Sequence, residues 1–119
     1  MTLSNEIACE IFERYLACHA ALDLEGVLSL FGDEAIVEDP VGSAIHRGVE
    51  AIRSFYRETH ARNGALEIER VGPILTGGAE LAAHVRARLV SADAPPAMDV
   101  IYSLRFDEHE RIVSLRAFF

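Results

Sequence analysis

The sequence predicts a single α+β domain over residues 1–119, in which three N-terminal helices pack on a curved, mainly antiparallel sheet. In the first half of the chain, apolar residues recur every three or four positions, which is the period of an amphipathic helix. After residue 65 they recur at every second position, which is the period of a strand. Half of the 119 residues are hydrophobic and a quarter are charged, as in a globular domain with a core. Helices followed by antiparallel strands are typical of the α+β class.

Three amphipathic segments predict the helices. The first has Asn5 as its expected N-cap and an inner face formed by Ile7, Ile11, Tyr15, Cys18 and Leu22. The second begins after Asp23 and is expected to end near Gly32. The third covers Val49–Asn63, and Gly64 is placed to end it.

Alternating residues predict the strands. A short strand over 35–39 stops at Pro40, and further strands are expected over 66–69, 81–89, 97–106 and 111–119. The strand over 97–106 carries apolar side chains on both of its faces, with Ile101 opposite the main row. An antiparallel sheet usually leaves one face in water, so a second apolar face indicates a homodimer packed sheet to sheet.

Charge limits the classes of partner. The formal net charge is −8, from 19 acidic and 11 basic residues, and this excess repels phosphate backbones and anionic lipids. We therefore expect no nucleic-acid partner. No apolar run approaches the roughly 20 residues that cross a bilayer, and the N-terminus carries no basic leader, so a cytoplasmic location without membrane contact is expected.

Cysteines and histidines give no sign of a metal or a disulfide. Cys9 and Cys18 lie nine positions apart on one predicted helix, on opposite faces, so both are expected to be free thiols. No Gly-rich phosphate loop is present, and the histidines lack the paired spacing of a metal site. We expect neither a metal nor another cofactor.

Three polar residues stand where apolar surroundings would perturb them. Tyr15 lies on the inner face of the first helix, where it could be a core tyrosine or direct its hydroxyl into a cavity. Asp39 ends a strand at Pro40, where it could form only a turn or project into a pocket. Asp99 lies in an apolar strand, where it could face solvent or be desolvated and stay protonated. A protonated Asp99 and the Tyr15 phenol could donate hydrogen bonds to one developing oxyanion.

Short motifs along nearly the whole chain resemble the bacterial Δ5-3-ketosteroid isomerases. The motifs lie on the first helix, at the proline turn, around the third helix and in the last strands. Each is weak alone, but their order and spacing are specific. They are Arg14-Tyr15-Leu16, Val37-Glu38-Asp39-Pro40-Val41-Gly42, Ile45-His46-Arg47-Gly48, Ser54-Phe55-Tyr56-Arg57, Ala97-Met98-Asp99-Val100-Ile101 and Arg105-Phe106-Asp107-Glu108-His109.

The resemblance implies the cone-shaped fold of the nuclear-transport-factor-like superfamily and a steroid as the small-molecule substrate. Asp39 would be the general base that moves a proton from C4 to C6 of a 3-oxo-Δ5-steroid. Tyr15 and Asp99 would form the oxyanion hole, and Tyr56 would support Tyr15. The expected pocket wall consists of Phe55, Val85, Met98, Leu115 and Phe119.

Two other functions stay open at this point. Relatives in the superfamily include polyketide cyclases and dehydratases, which use similar enolate chemistry on another ketone. A non-catalytic protein that binds a steroid or another lipid would also need an apolar pocket with a few orienting polar groups.

Overall fold

Three helices precede most of the sheet in the computed structural model, which describes residues 3–119. Helix α1 covers Asn5–Ala20, α2 covers Leu24–Leu28 and α3 covers Val49–Asn63. The Asp23 carboxylate accepts a hydrogen bond from a backbone N–H of α2, which confirms Asp23 as the N-cap. The expectation for Asn5 is wrong, because the Ser4 hydroxyl caps α1 instead.

The buried face of α1 is rotated from the expected one. It consists of Ala8, Phe12, Tyr15, Leu16 and His19. Ile7, Ile11 and Cys18 are half-buried at its border, and Leu22 lies beyond the helix end and is exposed. The large rings of Phe12 and Tyr15 occupy the centre of the core and set the orientation of the helix.

Seven strands form one mixed, mostly antiparallel sheet, as the fold class requires. In chain order they are β1 (Phe31–Glu38), β2 (Ile45–Arg47), β3 (Leu66–Arg70), β4 (Leu75–Gly77), β5 (Glu80–Leu89), β6 (Met98–Phe106) and β7 (Ile112–Phe118). The sheet order is β2-β1-β7-β6-β5-β3, with β4 paired to β5 and a parallel pairing between β1 and β7. The sequence did not reveal β2 and β4, because three residues are too few to show an alternation.

The core lies between the helices and the inner face of the sheet. Helix α3 packs on β1 and β2, whereas α1 packs on β3 and β4. In β6 the even-numbered residues after Met98 are buried, whereas Ile101 is exposed on the outer face opposite Phe118 of β7. The sheet-to-sheet homodimer stays a prediction, with this apolar pair as its starting point.

Two sequence expectations concern cysteines and membranes. Cys9 and Cys18 are both free, as predicted, and both are half-buried. In the part of the chain that the structure describes, no helix is both long enough and apolar enough to cross a membrane.

Two leucines test the assignment of the inner face by the same substitution. Leu104 in β6 is 1% exposed, whereas Leu75 in β4 is 64% exposed. We expect Leu104→Ala to lower the free energy of unfolding by about 2–5 kcal/mol, because it leaves a cavity in the core. Leu75→Ala should cost less than about 1 kcal/mol. Urea unfolding measures both, and equal losses would contradict the assigned face.

Candidate active site

Asp39 is held by a turn that is bound to the last strand. It follows directly after β1, and its peptide bond to Pro40 is cis. The Val41 N–H donates a hydrogen bond of 2.7 Å to the Ala117 carbonyl oxygen of β7. This hydrogen bond holds the turn at the rim of the sheet, so the position of Asp39 depends on β7 as well as on β1.

A cavity of about 480 Å³ opens between α1, α3 and one end of the sheet. Its volume lies in the range of small-molecule sites. It borders β5 only from Ala87 onward and β6 only from Met98 to Tyr102, so it occupies one end of these strands. The wall is mainly apolar, and its polar members are His19, Asp39, Thr59, Arg62, Asn63, Arg88 and Tyr102.

The Asp39 carboxyl is half-buried at this cavity. Within residues 3–119, no side chain or backbone group forms a hydrogen bond with it. Burial therefore acts without compensation and raises its pKa to about 6, because the apolar surroundings disfavour the charged form. A carboxylate of that pKa is largely ionised at neutral pH and is a stronger base than a solvated one.

Two buried tyrosine hydroxyls form a hydrogen bond behind the wall of the cavity. The hydroxyls of Tyr15 and Tyr56 are both buried and lie 2.8 Å apart in a hydrogen bond that joins α1 to α3. The Tyr102 ring packs edge-on to Tyr15, with centroids 5.6 Å apart, and Tyr102 borders the cavity. Burial and the nearby Asp39 carboxyl raise the pKa of Tyr102, and burial likewise raises the pKa of Tyr15 and of Tyr56. All three phenols therefore stay protonated and can donate hydrogen bonds.

The expected position of Asp99 is wrong. Its side chain is 60% exposed on the outer face of the sheet, where it accepts hydrogen bonds from Arg86 and pairs with His84 at 2.8 Å. The bond with His84 and the nearby Arg86 hold the pKa of Asp99 below its usual value, so it is ionised rather than protonated. The reason is the alternation of β6: Val100 and Tyr102 point inward, so the odd-numbered Asp99 points outward.

The expected pocket wall is present in part. Phe55, Met98 and Phe119 border the cavity. Val85 and Leu115 do not, because they lie farther along their strands and are fully covered in the core.

Sequence reasoning missed two side chains at the cavity, Tyr102 and His19. The alternation of β6 places Tyr102 in the same inward row as Val100, so its hydroxyl is a candidate donor to the cavity. His19 lies four residues after Tyr15, so it shares the helix face that carries this tyrosine. The helical period of α1 and the alternation of β6 therefore predict that both side chains point inward.

No group of three or more His, Cys, Asp or Glu side chains within residues 3–119 is arranged to hold a metal ion. The polar groups that border the cavity are single side chains of different types.

The fold and the site define a cone-shaped α+β domain of the nuclear-transport-factor-like superfamily, with a carboxyl and a tyrosine facing one apolar cavity. The chain belongs to the SnoaL-like domain family, which matches residues 12–115. It is 31% identical to a steroid Delta-isomerase of Nocardioides simplex, over 98% of this chain and 91% of that protein. Among solved structures, it resembles SalBIII, an epoxide hydrolase/cyclase-like enzyme described in pyran ring formation in polyether salinomycin. The TM-score is 0.82 at 21% identity, covering 97% of this chain and 92% of that one.

The burial of Asp39 predicts a pH-dependent stability. Its pKa is higher in the folded state than in the unfolded chain, so the folded state binds more protons between about pH 4 and 6 and loses stability as the pH rises through that window. We expect Asp39→Asn to be more stable than the wild type at pH 8, by on the order of 2 kcal/mol, and nearly equal at pH 4. Urea unfolding at several pH values measures this difference.

Glu38, next to Asp39, is a control for which the opposite dependence of stability on pH is expected. Hydrogen bonds from the Gly42 N–H and from Arg116 lower the pKa of Glu38, so this carboxylate contributes stability above its unfolded pKa and loses it as the pH falls. Glu38→Gln should therefore be less stable than the wild type at pH 8. A gain for Glu38→Gln, or a gain for Asp39→Asn that does not change with pH, would contradict the assigned environments.

Proposed function

We propose that this protein is a cofactor-independent isomerase that converts 3-oxo-Δ5-steroids to 3-oxo-Δ4-steroids. The observation that carries the proposal is the Asp39 carboxyl, which faces an apolar cavity without a hydrogen-bond partner among the described residues and shares that cavity with Tyr102. The match to a steroid Delta-isomerase over nearly the full length of both chains supports the steroid as substrate. The apolar wall suits a fused-ring hydrocarbon.

Asp39 acts as the general base. Its carboxylate removes a proton from C4, next to the C3 ketone, and the electrons move onto the C3 oxygen to give a dienolate. The same carboxyl then returns the proton to C6, which moves the double bond into conjugation with the ketone. Because one carboxyl accepts and returns the proton, the reaction needs no nucleotide, flavin or metal.

Tyr102 acts as the hydrogen-bond donor to the dienolate oxygen. It is the tyrosine of the buried group that borders the cavity, whereas Tyr15 and Tyr56 lie behind it. In this role the Tyr15 ring packs edge-on against Tyr102 and holds it in place, and Tyr56 fixes the Tyr15 hydroxyl through a hydrogen bond of 2.8 Å. The Tyr102 donor is therefore preorganised for the dienolate oxygen, in apolar surroundings where such a hydrogen bond is stronger than in water.

Asp39 is tested by turnover of 5-androstene-3,17-dione, followed by the ultraviolet absorbance of the enone product. We expect the wild type to catalyse the reaction, with kcat/KM rising with pH through about 6 and constant above it, because the base must be ionised. Asp39→Asn should lose roughly 10²–10⁴-fold in turnover, because the amide cannot accept the proton.

Binding of a phenolic steroid separates an isomerase from a carrier protein. Asp39→Asn should retain this binding, because the amide keeps the shape of the side chain. Wild-type protein that binds the phenolic steroid tightly but produces no enone would be a carrier, and unchanged turnover in Asp39→Asn would remove Asp39 from the mechanism.

Tyr102 and Asp99 are tested as a pair on one strand. We expect Tyr102→Phe to reduce kcat roughly 10- to 100-fold, because the dienolate loses its nearest donor while the buried ring remains. Asp99→Asn should stay within about twofold of the wild type, because the side chain lies on the outer face of the sheet. The opposite result, a large loss for Asp99→Asn and none for Tyr102→Phe, would restore Asp99 to the oxyanion hole.

A further inference from the structure

A pair of histidines links the cavity to the protein surface. His19 on α1 is only 6% exposed, and it borders the cavity. Its Nδ1 lies 3.2 Å from Nε2 of His60 on α3. His60 is half-buried and does not border the cavity, so its remaining surface faces solvent outside it. The two rings therefore span the wall between cavity and solvent.

The second nitrogen of His19 faces the cavity. Among the described residues, every nitrogen or oxygen of a buried side chain either has a hydrogen-bond partner or can be reached by solvent. Within residues 3–119 His19 Nε2 has no hydrogen-bond partner, so it must be reachable, and the cavity is the space that His19 borders. The flat faces of the ring are occupied by aromatic neighbours: Tyr15 stacks on it at 5.6 Å, and Tyr56 packs edge-on at 5.5 Å.

The reaction assigned to Asp39 makes no use of this pair. A shift of one proton from carbon to carbon returns the base to its starting state, so no link to solvent is required. A reaction that takes a proton from carbon and delivers another to oxygen is different. It leaves the base protonated and the acid deprotonated, and both must be reset through solvent.

We propose that His19 and His60 form a second acid–base group, which enables the site to eliminate water from a ketone with a hydroxyl on its β carbon. This activity rests on the proposed function, because it uses the same enolate. The substrate R–CO–CH₂–CH(OH)–R′ gives the enone R–CO–CH=CH–R′ and water. His19 is the catalytic acid, and His60 is a positioning and proton-supplying residue that acts through it.

The protons and electrons of this step balance. Asp39 removes a proton from the α carbon, and the electrons form an enolate at the ketone oxygen near Tyr102. When the enolate collapses, the α,β double bond forms and the β C–O bond breaks, and the leaving oxygen takes the proton from His19 Nε2. His19 Nδ1 receives the Nε2 proton of His60, and His60 Nδ1 takes one from solvent. Asp39 then passes its proton through the released water to the bare His19 Nε2. The pair shifts in the opposite direction, from His19 Nδ1 to His60 Nε2, and His60 Nδ1 returns a proton to solvent, so Asp39 and both tautomers are restored and no net proton is consumed.

The environment of the pair suits a relay. Burial, together with the nearby His60, lowers the pKa of His19 to about 4. Burial also lowers the pKa of His60. Both rings are therefore neutral at pH 7, so one donates and the other accepts across the 3.2 Å contact. A proton taken up at the more exposed His60 is passed inward rather than held on His19.

The experiment compares two probes with the same protein. One is 5-androstene-3,17-dione, which reports isomerisation, and the other is 4-hydroxy-4-(naphthalen-2-yl)butan-2-one, whose dehydration gives a conjugated enone. Both are followed by ultraviolet absorbance with the wild type, Asp39→Asn, His19→Phe and His60→Ala. His19→Phe keeps a flat ring against Tyr15, and thermal unfolding checks that each variant is folded. His109→Gln is the control, because His109 is 75% exposed in the turn before β7.

We expect the wild type to dehydrate the hydroxy ketone and His19→Phe to lower the ratio of dehydration to isomerisation by roughly 10²-fold. His60→Ala should lower the same ratio, and free imidazole in the buffer should restore part of it, which a merely structural role would not allow. His109→Gln should keep the wild-type ratio.

Each other outcome has a distinct meaning. Isomerisation without dehydration in the wild type, or an unchanged ratio in His19→Phe, overturns the second acid–base group and leaves the isomerase proposal intact. Dehydration without isomerisation, lost in His19→Phe, supports the histidine pair and overturns the steroid reaction. Turnover of neither probe overturns both.

Discussion

The Asp39 carboxyl faces an apolar cavity without a hydrogen-bond partner among residues 3–119, and the surrounding structure compensates for this unfavourable placement. The turn that carries it is bound to β7 through the Val41 N–H, and the preceding Glu38 pairs with Arg116 of the same strand. A desolvated carboxyl can be kept only where many other contacts determine the backbone around it. The parallel pairing of β1 with β7 supplies those contacts. The strand pairing that builds the sheet therefore also holds Asp39 in the apolar environment that makes it basic.

The second organising feature is the buried hydrogen bond between Tyr15 and Tyr56. It joins α1 to α3 at the base of the cavity, and Tyr102 extends the group to the sheet. Phenols satisfy one another here without any ionised partner, so they remain donors at neutral pH. His19 of α1 stacks on Tyr15, and its Nδ1 lies 3.2 Å from Nε2 of His60 on α3. The cavity is thus bordered by the Asp39 carboxyl in the turn after β1, by Tyr102 of β6 and by His19 of α1.

Periodicity was sufficient for the fold class, the three helices and the longer strands, because burial on one face is what these patterns record. Periodicity did not reveal the very short strands β2 and β4. It also could not decide which of two adjacent polar residues, Ser4 or Asn5, caps α1. The error at Asp99 has a different cause. The resemblance to ketosteroid isomerases was carried over to a carboxyl in a matching motif, although the alternation of β6 already placed Tyr102 inward and Asp99 outward. The contact between His19 and His60 joins residues 41 positions apart, and no local pattern encodes it.

The central claim is that Asp39 and Tyr102 face one ketone-binding cavity, and a crystal structure with a bound phenolic steroid tests it most directly. The phenolic oxygen imitates the dienolate oxygen. It should lie within about 3 Å of the Tyr102 hydroxyl, with the ring beside the Asp39 carboxyl and no contact to Asp99. A steroid bound on the outer face of the sheet, or inside the cavity with its oxygen directed away from Tyr102, would contradict the assigned site.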